Sequence, residues 1–326
     1  MIYLIRAPEY IGRPEKNIAD WITSDWAKAG YTFTEIKGSA PKEMRQGVFY
    51  DTEDCMKNYI DKYIGLYDMV KEGDSVLFVE GWNVSIPFYK LLFDSMGKKV
   101  RLFGIFHSAI NVPGEFLTQF PWATPFEQVL GKSLDKIFVA TKYIREKINL
   151  ENVVITGLPF PKDIDYKETS EKKGNIVIFS HRWWKDKRPD VFVRLANYFK
   201  DKAEFWLLAP KGIEINEPNI KVVVNKTRAE YLANLRKGKI IFSSAQLETF
   251  GYSVCEGLLS GCIPLLVRSA CYPELYPDEY LYSNDDEMKE KFLRIINQEV
   301  YEPPLPLMKA ISRFDDASVR MFKEMQ

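Results

Sequence analysis

The chain of 326 residues is poor in histidine and cysteine, which removes several classes of site. Its only histidines are His107 and His181, too few for a histidine-rich zinc site. Its four cysteines form no CxxC pair and do not indicate a disulfide scaffold in a chain of this length. No Gly-x-Gly occurs, so the dinucleotide-binding fingerprint is missing. We therefore expect neither a metal ion nor a bound cofactor.

The chain also lacks net charge and long apolar runs. Lys+Arg and Asp+Glu both total 45, which argues against a broad electrostatic footprint on nucleic acid or an anionic membrane and leaves a local basic site open. Apolar stretches such as Phe205–Ala209 are far shorter than the roughly 20 residues of a membrane helix. Arg6 and Pro8 interrupt any signal-peptide core. We expect a soluble, cytoplasmic protein without integral membrane association.

Short β-branched or aromatic runs alternate with amphipathic stretches, which predicts parallel sheets covered by helices. The predicted strands form two series: Ile2–Arg6, Val76–Val79, Arg101–Phe106, Lys136–Ala140 and Val153–Thr156, then Ile176–Ser180, Phe205–Ala209, Lys221–Val224, Lys239–Ser243 and Ile263–Val267. Predicted helices over Glu15–Ala29, Ser85–Met96 and Ser253–Ser260 each precede a glycine, the usual residue just past a helix end.

The alternation of predicted strands and helices is interrupted once, and this interruption predicts the domain boundary. Residues 157–174 carry glycines and prolines and then a charged run, a composition typical of a linker. We therefore predict an α/β protein of two Rossmann-like doubly wound domains facing a cleft. The first covers residues 1–160 and the second 161–300. Residues 301–326 are predicted to contain a helix with Leu307, Ile311, Val319 and Phe322 as apolar positions.

Ligands of such sheets bind outside the carboxyl ends of the strands, so the loops after Phe106, Ser180 and Ser243 are the candidate site. After Ser243, Gly251 lets the backbone approach a ligand, and the next helix start suits a phosphate. Glu256 on that helix is placed to accept hydrogen bonds from a ribose diol. On spacing alone, an acidic helix start and a solvated Glu248 explain the pattern equally well.

The other two loops add positive charge and a histidine. After Ser180, Arg182 and Lys187 are placed to face a diphosphate, the first as a planar fork and the second as a point charge. A solvated charged turn is the plain alternative. His107 follows Phe106 at the expected ligand edge, which favours a functional role over a structural one.

The segment from Glu248 through Glu256 to Pro264 resembles the retaining GT-B glycosyltransferases with a Glu-x7-Glu signature, over about residues 176–282. That resemblance implies that Arg182 and Lys187 hold the donor diphosphate and that Glu256 contacts the ribose. The transferred sugar would then contact Glu248 and the run Thr249, Phe250 and Gly251. It also implies that His107 lies near the sugar, that the two domains form a GT-B fold, and that the terminal helix packs back on the first domain.

The acceptor side departs from the family pattern. Only Gly12, next to Arg13, stands where the family has a double-glycine acceptor loop, and Thr156-Gly157-Leu158-Pro159 replaces the common N-G-V-D. We take Gly12, Arg13 and His107 as the candidate acceptor residues. The run from Ser180 to Asp190 is similar to tRNA-queuosine mannosyltransferases, which raises a modified base of tRNA or DNA as acceptor.

The resemblance implies a retaining, metal-independent transfer from a nucleoside diphosphate sugar such as a UDP-sugar. Asp163 and Asp165 form a DxD, the metal-diphosphate motif of another glycosyltransferase architecture, but they lie in the predicted linker. A lipid or glycan acceptor remains an alternative. So do a sugar-nucleotide epimerase, a phosphorylase and an inactive nucleotide-sugar-binding protein.

Overall fold

Two six-stranded sheets with flanking helices organise the protein in a computed structural model. The structure describes residues 1–6, 14–36, 53–161, 164, 173–209, 213–297 and 316–326. The chain divides into two units between Pro159 and Phe160, and each unit contains one sheet. The α/β class with two doubly wound domains is thereby confirmed.

The first unit contains a parallel sheet with the strand order β2-β1-β3-β4-β5-β6. Its strands are β1 (Ile2–Ile5), β2 (Phe33–Ile36), β3 (Ser75–Phe78), β4 (Arg101–Phe106), β5 (Lys136–Val139) and β6 (Val153–Ile155). Its helices up to the boundary are α1 (Pro14–Lys28), α2 (Glu53–Tyr67), α3 (Ile86–Ser95), α4 (Ala123–Ser133) and α5 (Lys142–Arg145). Strands β1 and β3 are buried throughout, as expected for parallel strands covered on both faces.

The second unit contains a parallel sheet with the strand order β12-β11-β10-β7-β8-β9. Its strands are β7 (Ile176–Phe179), β8 (Glu204–Ala209), β9 (Lys221–Val224), β10 (Ile240–Ser243), β11 (Ile263–Val267) and β12 (Leu281–Tyr282). Its helices are α6 (Pro189–Phe199), α7 (Arg228–Leu235), α8 (Tyr252–Leu259), α9 (Tyr272–Leu275) and α10 (Asp285–Ile296). The strand order reverses between the paired strands β7 and β10, the switch point at which such sheets bind ligands.

An aromatic cluster holds β7 and β10 in place beneath their loops. Phe192 of α6 lies 5.0 Å from Phe179 of β7, 5.7 Å from Phe205 of β8 and 5.6 Å from Phe242 of β10, measured between ring centroids. All four rings are buried. Burial of each such ring stabilises the fold by about 1.5–3 kcal/mol, so one helix anchors three strands and fixes where their loops begin.

The terminal helix, α11 (Ala317–Glu324), packs against the first unit. The indole Nε1 of Trp26 donates to the carbonyl of Ser318 at 2.7 Å, and Arg320 donates to the carbonyl of Thr156. The Phe322 ring stacks on Tyr31 with centroids 3.6 Å apart. Leu307 and Ile311 of the predicted helix lie outside the described residues. No helix among the residues with described structure is long and apolar enough to cross a membrane.

Candidate active site

The loops after β7 and β10 are bound to each other at the switch point. The Ser244 hydroxyl donates to the carbonyls of Lys187 and Arg188 at 2.9 and 2.8 Å. The N–H of Gln246 donates to the carbonyl of Asp186 at 2.9 Å. These three bonds join the end of one loop to the start of the other. The sequence predicted that both loops lie at one sheet edge, and the fold brings them together there.

Lys187 and Glu248 form a mostly buried ion pair between these loops. Lys187 Nζ lies 3.4 Å from Glu248 Oε2 and 3.3 Å from Asp186 Oδ2, and it also donates to the carbonyl of Leu247. The exposed fractions of the Lys187 and Glu248 side chains are 11% and 16%. An ammonium group at this depth needs such partners, because an unpaired buried charge is costly. The cation predicted for a diphosphate is therefore already held by two carboxylates.

Glu248 also shapes the backbone of its own loop. Its Oε1 accepts hydrogen bonds from the N–H groups of Thr249 at 3.2 Å and Gly251 at 3.1 Å. Burial alone would raise the pKa of Glu248, but the Lys187 ammonium, with a contribution from the Thr249 N–H, outweighs it and holds the pKa below its ordinary value. Glu248 is thus an anion with one oxygen bonded by its own loop and the other paired with Lys187 of the neighbouring loop.

Gly251 starts α8 in a conformation that a glycine accepts readily. Its φ of 84° and ψ of 52° are left-handed, and an added Cβ would lie 3.1 Å from Cε1 of Tyr272. The Phe250 side chain is buried and lies edge-on to Tyr252 at 4.9 Å, so any contact of Phe250 with a ligand falls to its backbone. The start of α8 presents backbone donors and the positive end of the helix dipole at the loop junction.

Glu256 is held by two side chains from α7. Its Oε1 lies 2.6 Å from Arg228 Nη1, and its Oε2 accepts a hydrogen bond from the Tyr231 hydroxyl at 2.8 Å. The same hydroxyl lies 2.7 Å from Ser180 Oγ, next to the candidate loop. Burial and the neighbouring Glu256 raise the pKa of Tyr231 well above its ordinary value. Each carboxylate oxygen can accept more than one hydrogen bond, which is compatible with the ribose contact expected of Glu256.

His181 is the site residue whose contacts the sequence did not indicate. It is 8% exposed, its Nδ1 lies 3.3 Å from Ser253 Oγ, and its Nε2 is buried without a hydrogen-bond partner among the described residues. Burial lowers the pKa of His181 to about 4, so the ring is neutral near pH 7. Its position one residue past the predicted strand Ile176–Ser180 was visible in the sequence, but its partner lies on α8, 72 residues away.

The charged and aromatic side chains of the β7–α6 loop divide into packed and exposed groups. The Trp183 ring packs edge-on against Phe179 at 5.7 Å. Trp184 is 53% exposed, and the guanidinium of the exposed Arg182 lies 4.6 Å from its ring centroid. Arg182 therefore rests on an aromatic face, while Lys187 of the same loop points inward.

His107 belongs to the first unit, where it follows β4. Its Nε2 lies 2.8 Å from the carbonyl of Val79. Because a carbonyl only accepts, Nε2 carries the proton, and in the neutral ring Nδ1 offers a lone pair. Close by in the chain, the Ile110 N–H donates to Glu127 at 2.8 Å, and burial raises the pKa of Glu127 to about 7.

Some site residues predicted from the sequence lie outside the part of the chain that the structure describes. Gly12, Arg13, Asp163 and Asp165 lie outside the described residues. Within the described ranges, no group of three or more His, Cys, Asp or Glu side chains is arranged to hold a metal ion. The residues that the structure brings together are thus those of the second unit, and the metal-free reaction stays a prediction.

Comparison with known proteins finds curated relatives and many structural neighbours. The chain is 31% identical to the tRNA-queuosine alpha-mannosyltransferase of Drosophila melanogaster, over 46% of this chain and 46% of that protein. It therefore matches less than half the length of that relative. No protein-family model matches the chain.

The structural neighbours cover almost the whole chain. A UDP-forming α,α-trehalose-phosphate synthase from Burkholderia xenovorans, solved with glucose-6-phosphate, has a TM-score of 0.69 at 12% identity, covering 100% of this chain and 99% of its own. The sucrose-phosphate synthase of Thermosynechococcus elongatus also has a TM-score of 0.69 at 12% identity, covering 99% and 97%. These matches show that the chain has the GT-B fold, and they confirm its resemblance to GT-B glycosyltransferases. The Glu-x7-Glu part of that resemblance stays a prediction.

Proposed function

We propose that this protein is a retaining, metal-independent glycosyltransferase that moves a sugar from a nucleoside diphosphate donor to a modified nucleoside of tRNA. One observation carries the donor half of this proposal. Lys187, the Gly251-led start of α8 and the Glu256 carboxylate lie on two mutually bonded loops and the following helix, at the switch point of one parallel sheet. These groups match the diphosphate and ribose of a nucleotide donor.

The arrangement supplies stabilisation for a leaving group. As the bond between the anomeric carbon and the diphosphate breaks, its electron pair moves onto the phosphate oxygens. Fixed N–H dipoles at the start of α8, together with Lys187 and Arg182, are suited to stabilise that charge. The acceptor oxygen forms the new bond to the anomeric carbon, and its proton passes to the departing diphosphate. No metal ion is required by this scheme.

Retention of the anomeric configuration is supported by the resemblance to retaining GT-B glycosyltransferases and by the hydrogen-bonding partners of Glu248. A covalent intermediate needs a carboxylate that is free to attack. Both oxygens of Glu248 are engaged, one by Lys187 and the other by the N–H groups of Thr249 and Gly251. Substitution on one face of the sugar therefore suits this site better than a double displacement.

The acceptor half is supported by the curated relative and by the sequence between Ser180 and Asp190. That relative is named for transfer of mannose to queuosine in tRNA, and the run from Ser180 to Asp190 resembles its family. The exposed Trp184 offers a face on which a base can stack, a contact worth about 1–3 kcal/mol. A lipid or glycan acceptor is the competing assignment.

A transfer assay tests both halves. The purified protein is incubated with GDP-mannose, UDP-glucose or UDP-N-acetylglucosamine and with tRNA that contains or lacks queuosine, with and without EDTA. We expect EDTA-insensitive labelling of the queuosine-containing tRNA by one donor, with the donor's anomeric configuration kept in the product. Labelling of a glycan or lipid instead would reassign the acceptor, and labelling abolished by EDTA would contradict the metal-free scheme.

A matched pair of variants ties the activity to the donor site. Arg182→Met and Lys185→Met each remove one exposed positive charge from the same loop. We expect the first to lose most of the transfer rate and the second to keep it. Nucleotide binding without transfer to any acceptor would indicate a nucleotide-sugar-binding protein rather than an enzyme.

A further inference from the structure

The His181 side chain combines burial with an uncommitted polar atom at the start of α8. The residue is 8% exposed, and its Nε2 has no hydrogen-bond partner among the described residues. Nearly all buried polar atoms in proteins are hydrogen-bonded, so such an atom calls for an explanation. The neighbouring polar groups are the charged side chains of Arg182, Asp186, Lys187 and Glu248, and the Ser253 hydroxyl.

The position of the His181 ring indicates which kind of ligand group Nε2 can contact. Its Nδ1 lies 3.3 Å from the hydroxyl of Ser253, the second residue of α8. The N–H groups at a helix start have no acceptor within the helix and point toward anions. The His181 ring is therefore held, through Nδ1, at the helix end that suits an anion, with Lys187 of its own loop nearby.

We propose that His181 is a neutral hydrogen-bond donor, through Nε2, to the donor diphosphate, with Nδ1 accepting from the Ser253 hydroxyl. The Ser253 hydroxyl can donate to Nδ1 in the tautomer that carries the proton on Nε2. An ionised phosphate oxygen only accepts, so it pairs with this tautomer and not with the other. This assignment rests on the proposed function, because it requires a nucleoside diphosphate at the start of α8.

Neutrality distinguishes this contact from those of Arg182 and Lys187. Burial keeps the pKa of His181 near 4, so its contribution does not change between pH 6 and 8. The His181 contact orients the phosphate oxygen without adding a positive charge to the site. A second consequence is that salt, which screens the exposed Arg182, leaves the His181 contact largely unaffected.

Two isosteric variants separate the ring nitrogens. In His181→Gln the amide nitrogen takes roughly the place of Nε2, whereas in His181→Asn it takes that of Nδ1. We measure the Kd of UDP and GDP by calorimetry for the wild type and both variants, and the thermal midpoint of each without ligand. We expect Gln to stay within threefold of the wild type and Asn to lose tenfold or more, with folded variants in both cases.

A second measurement needs no variant. Long-range ¹H–¹⁵N spectra of the wild-type imidazole report its tautomer, and we expect the neutral Nε2–H form from pH 5.5 to 8. We also expect the Nε2 proton to move downfield when the nucleotide that binds is added. Asn at wild-type affinity, Gln as weak as Asn, or an Nδ1–H tautomer would overturn the assignment. Failure of the wild type to bind any nucleoside diphosphate would overturn the proposed function and this assignment with it.

Discussion

Replacing Glu256 by glutamine changes the charge of one acceptor while leaving the shape of the site in place. The amide oxygen of Gln still accepts from the Tyr231 hydroxyl, which also retains Ser180 as a neighbour. Arg228 loses its ion pair, but its side chain is 34% exposed and can turn to solvent. Partly exposed pairs of this kind contribute about 1 kcal/mol or less, so we expect Glu256→Gln to stay folded.

The effect on nucleotide binding follows from the change in hydrogen-bond type. A ribose diol offers two hydroxyl donors to the Glu256 carboxylate. Hydrogen bonds to a charged group contribute about 1.5–3 kcal/mol and neutral ones about 0.5–1.5 kcal/mol. The amide group moreover offers one acceptor atom where the carboxylate offers two. We therefore expect Glu256→Gln to weaken nucleoside diphosphate binding by about 1–2 kcal/mol, roughly 5- to 30-fold in Kd.

A comparison of two ligands makes this prediction specific to the ribose. Calorimetry measures the Kd of a nucleoside diphosphate and of its 2′,3′-dideoxy analogue, for the wild type, for Glu256→Gln and for Glu290→Gln. Glu290 lies exposed on α10 and serves as the matched loss of one carboxylate. The substitution of Glu256 should weaken the ribose ligand and leave the dideoxy ligand unchanged. Equal losses for both ligands, or no loss for either, would refute the ribose assignment.

Three further predictions concern stability. Lys187→Met should lower the free energy of unfolding by about 3–5 kcal/mol, because the mostly buried Glu248 loses its cation. Urea titrations measure this loss, and Glu248→Gln added to Lys187→Met should restore part of the stability. A double variant no more stable than Lys187→Met would count against this reasoning. Gly251→Ala should cost about 1–2 kcal/mol, since its φ is 84° and the new Cβ would lie 3.1 Å from Tyr272; an unchanged thermal midpoint contradicts it. Burial raises the pKa of Glu127 to about 7 from 4.5. The contribution of Glu127 to the free energy of unfolding is therefore fully present below pH 4.5 and is lost as the pH rises from 4.5 through 7. The total loss is about 3 kcal/mol. Glu127→Gln should remove that part of the pH dependence, as checked by unfolding at pH 5 and pH 8.

The sequence predicted the architecture because buried parallel strands are short apolar runs between helical stretches. Ten of the twelve strands in the described residues were found in this way, with ends within about one residue of those observed. The two that were missed are β2 and β12, the outer strands on one side of each sheet. Strand β2 is half-exposed, with threonine and glutamate in its centre, and β12 has two residues. Neither is long or apolar enough to produce the pattern.

The sequence predicted only those features of the candidate site that depend on neighbouring residues in the chain. Strand ends indicated the loops, and the glycine before α8 indicated the helix start. Which side chains pair was not predictable, because the partners come from distant segments. Glu256 meets Tyr231 at a separation of 25 residues, and Lys187 meets Glu248 at 61. The sequence suggested that Lys187 and Glu248 each face the donor, whereas the fold joins them to each other.

This pairing changes the account of how a diphosphate would be attracted. Asp186, Lys187 and Glu248 together carry one net negative charge, so Lys187 supplies little long-range attraction for an anion. Arg182 is, like Lys185, an exposed cation of the loop, and leaving the Trp184 face costs it only about 0.5–1 kcal/mol. In the proposed site, the oriented N–H groups at the start of α8 and His181 Nε2 are the groups that would hold the bound anion without adding charge. Removing Arg182 should therefore slow donor association more than removing His181, and raised salt should reduce that difference.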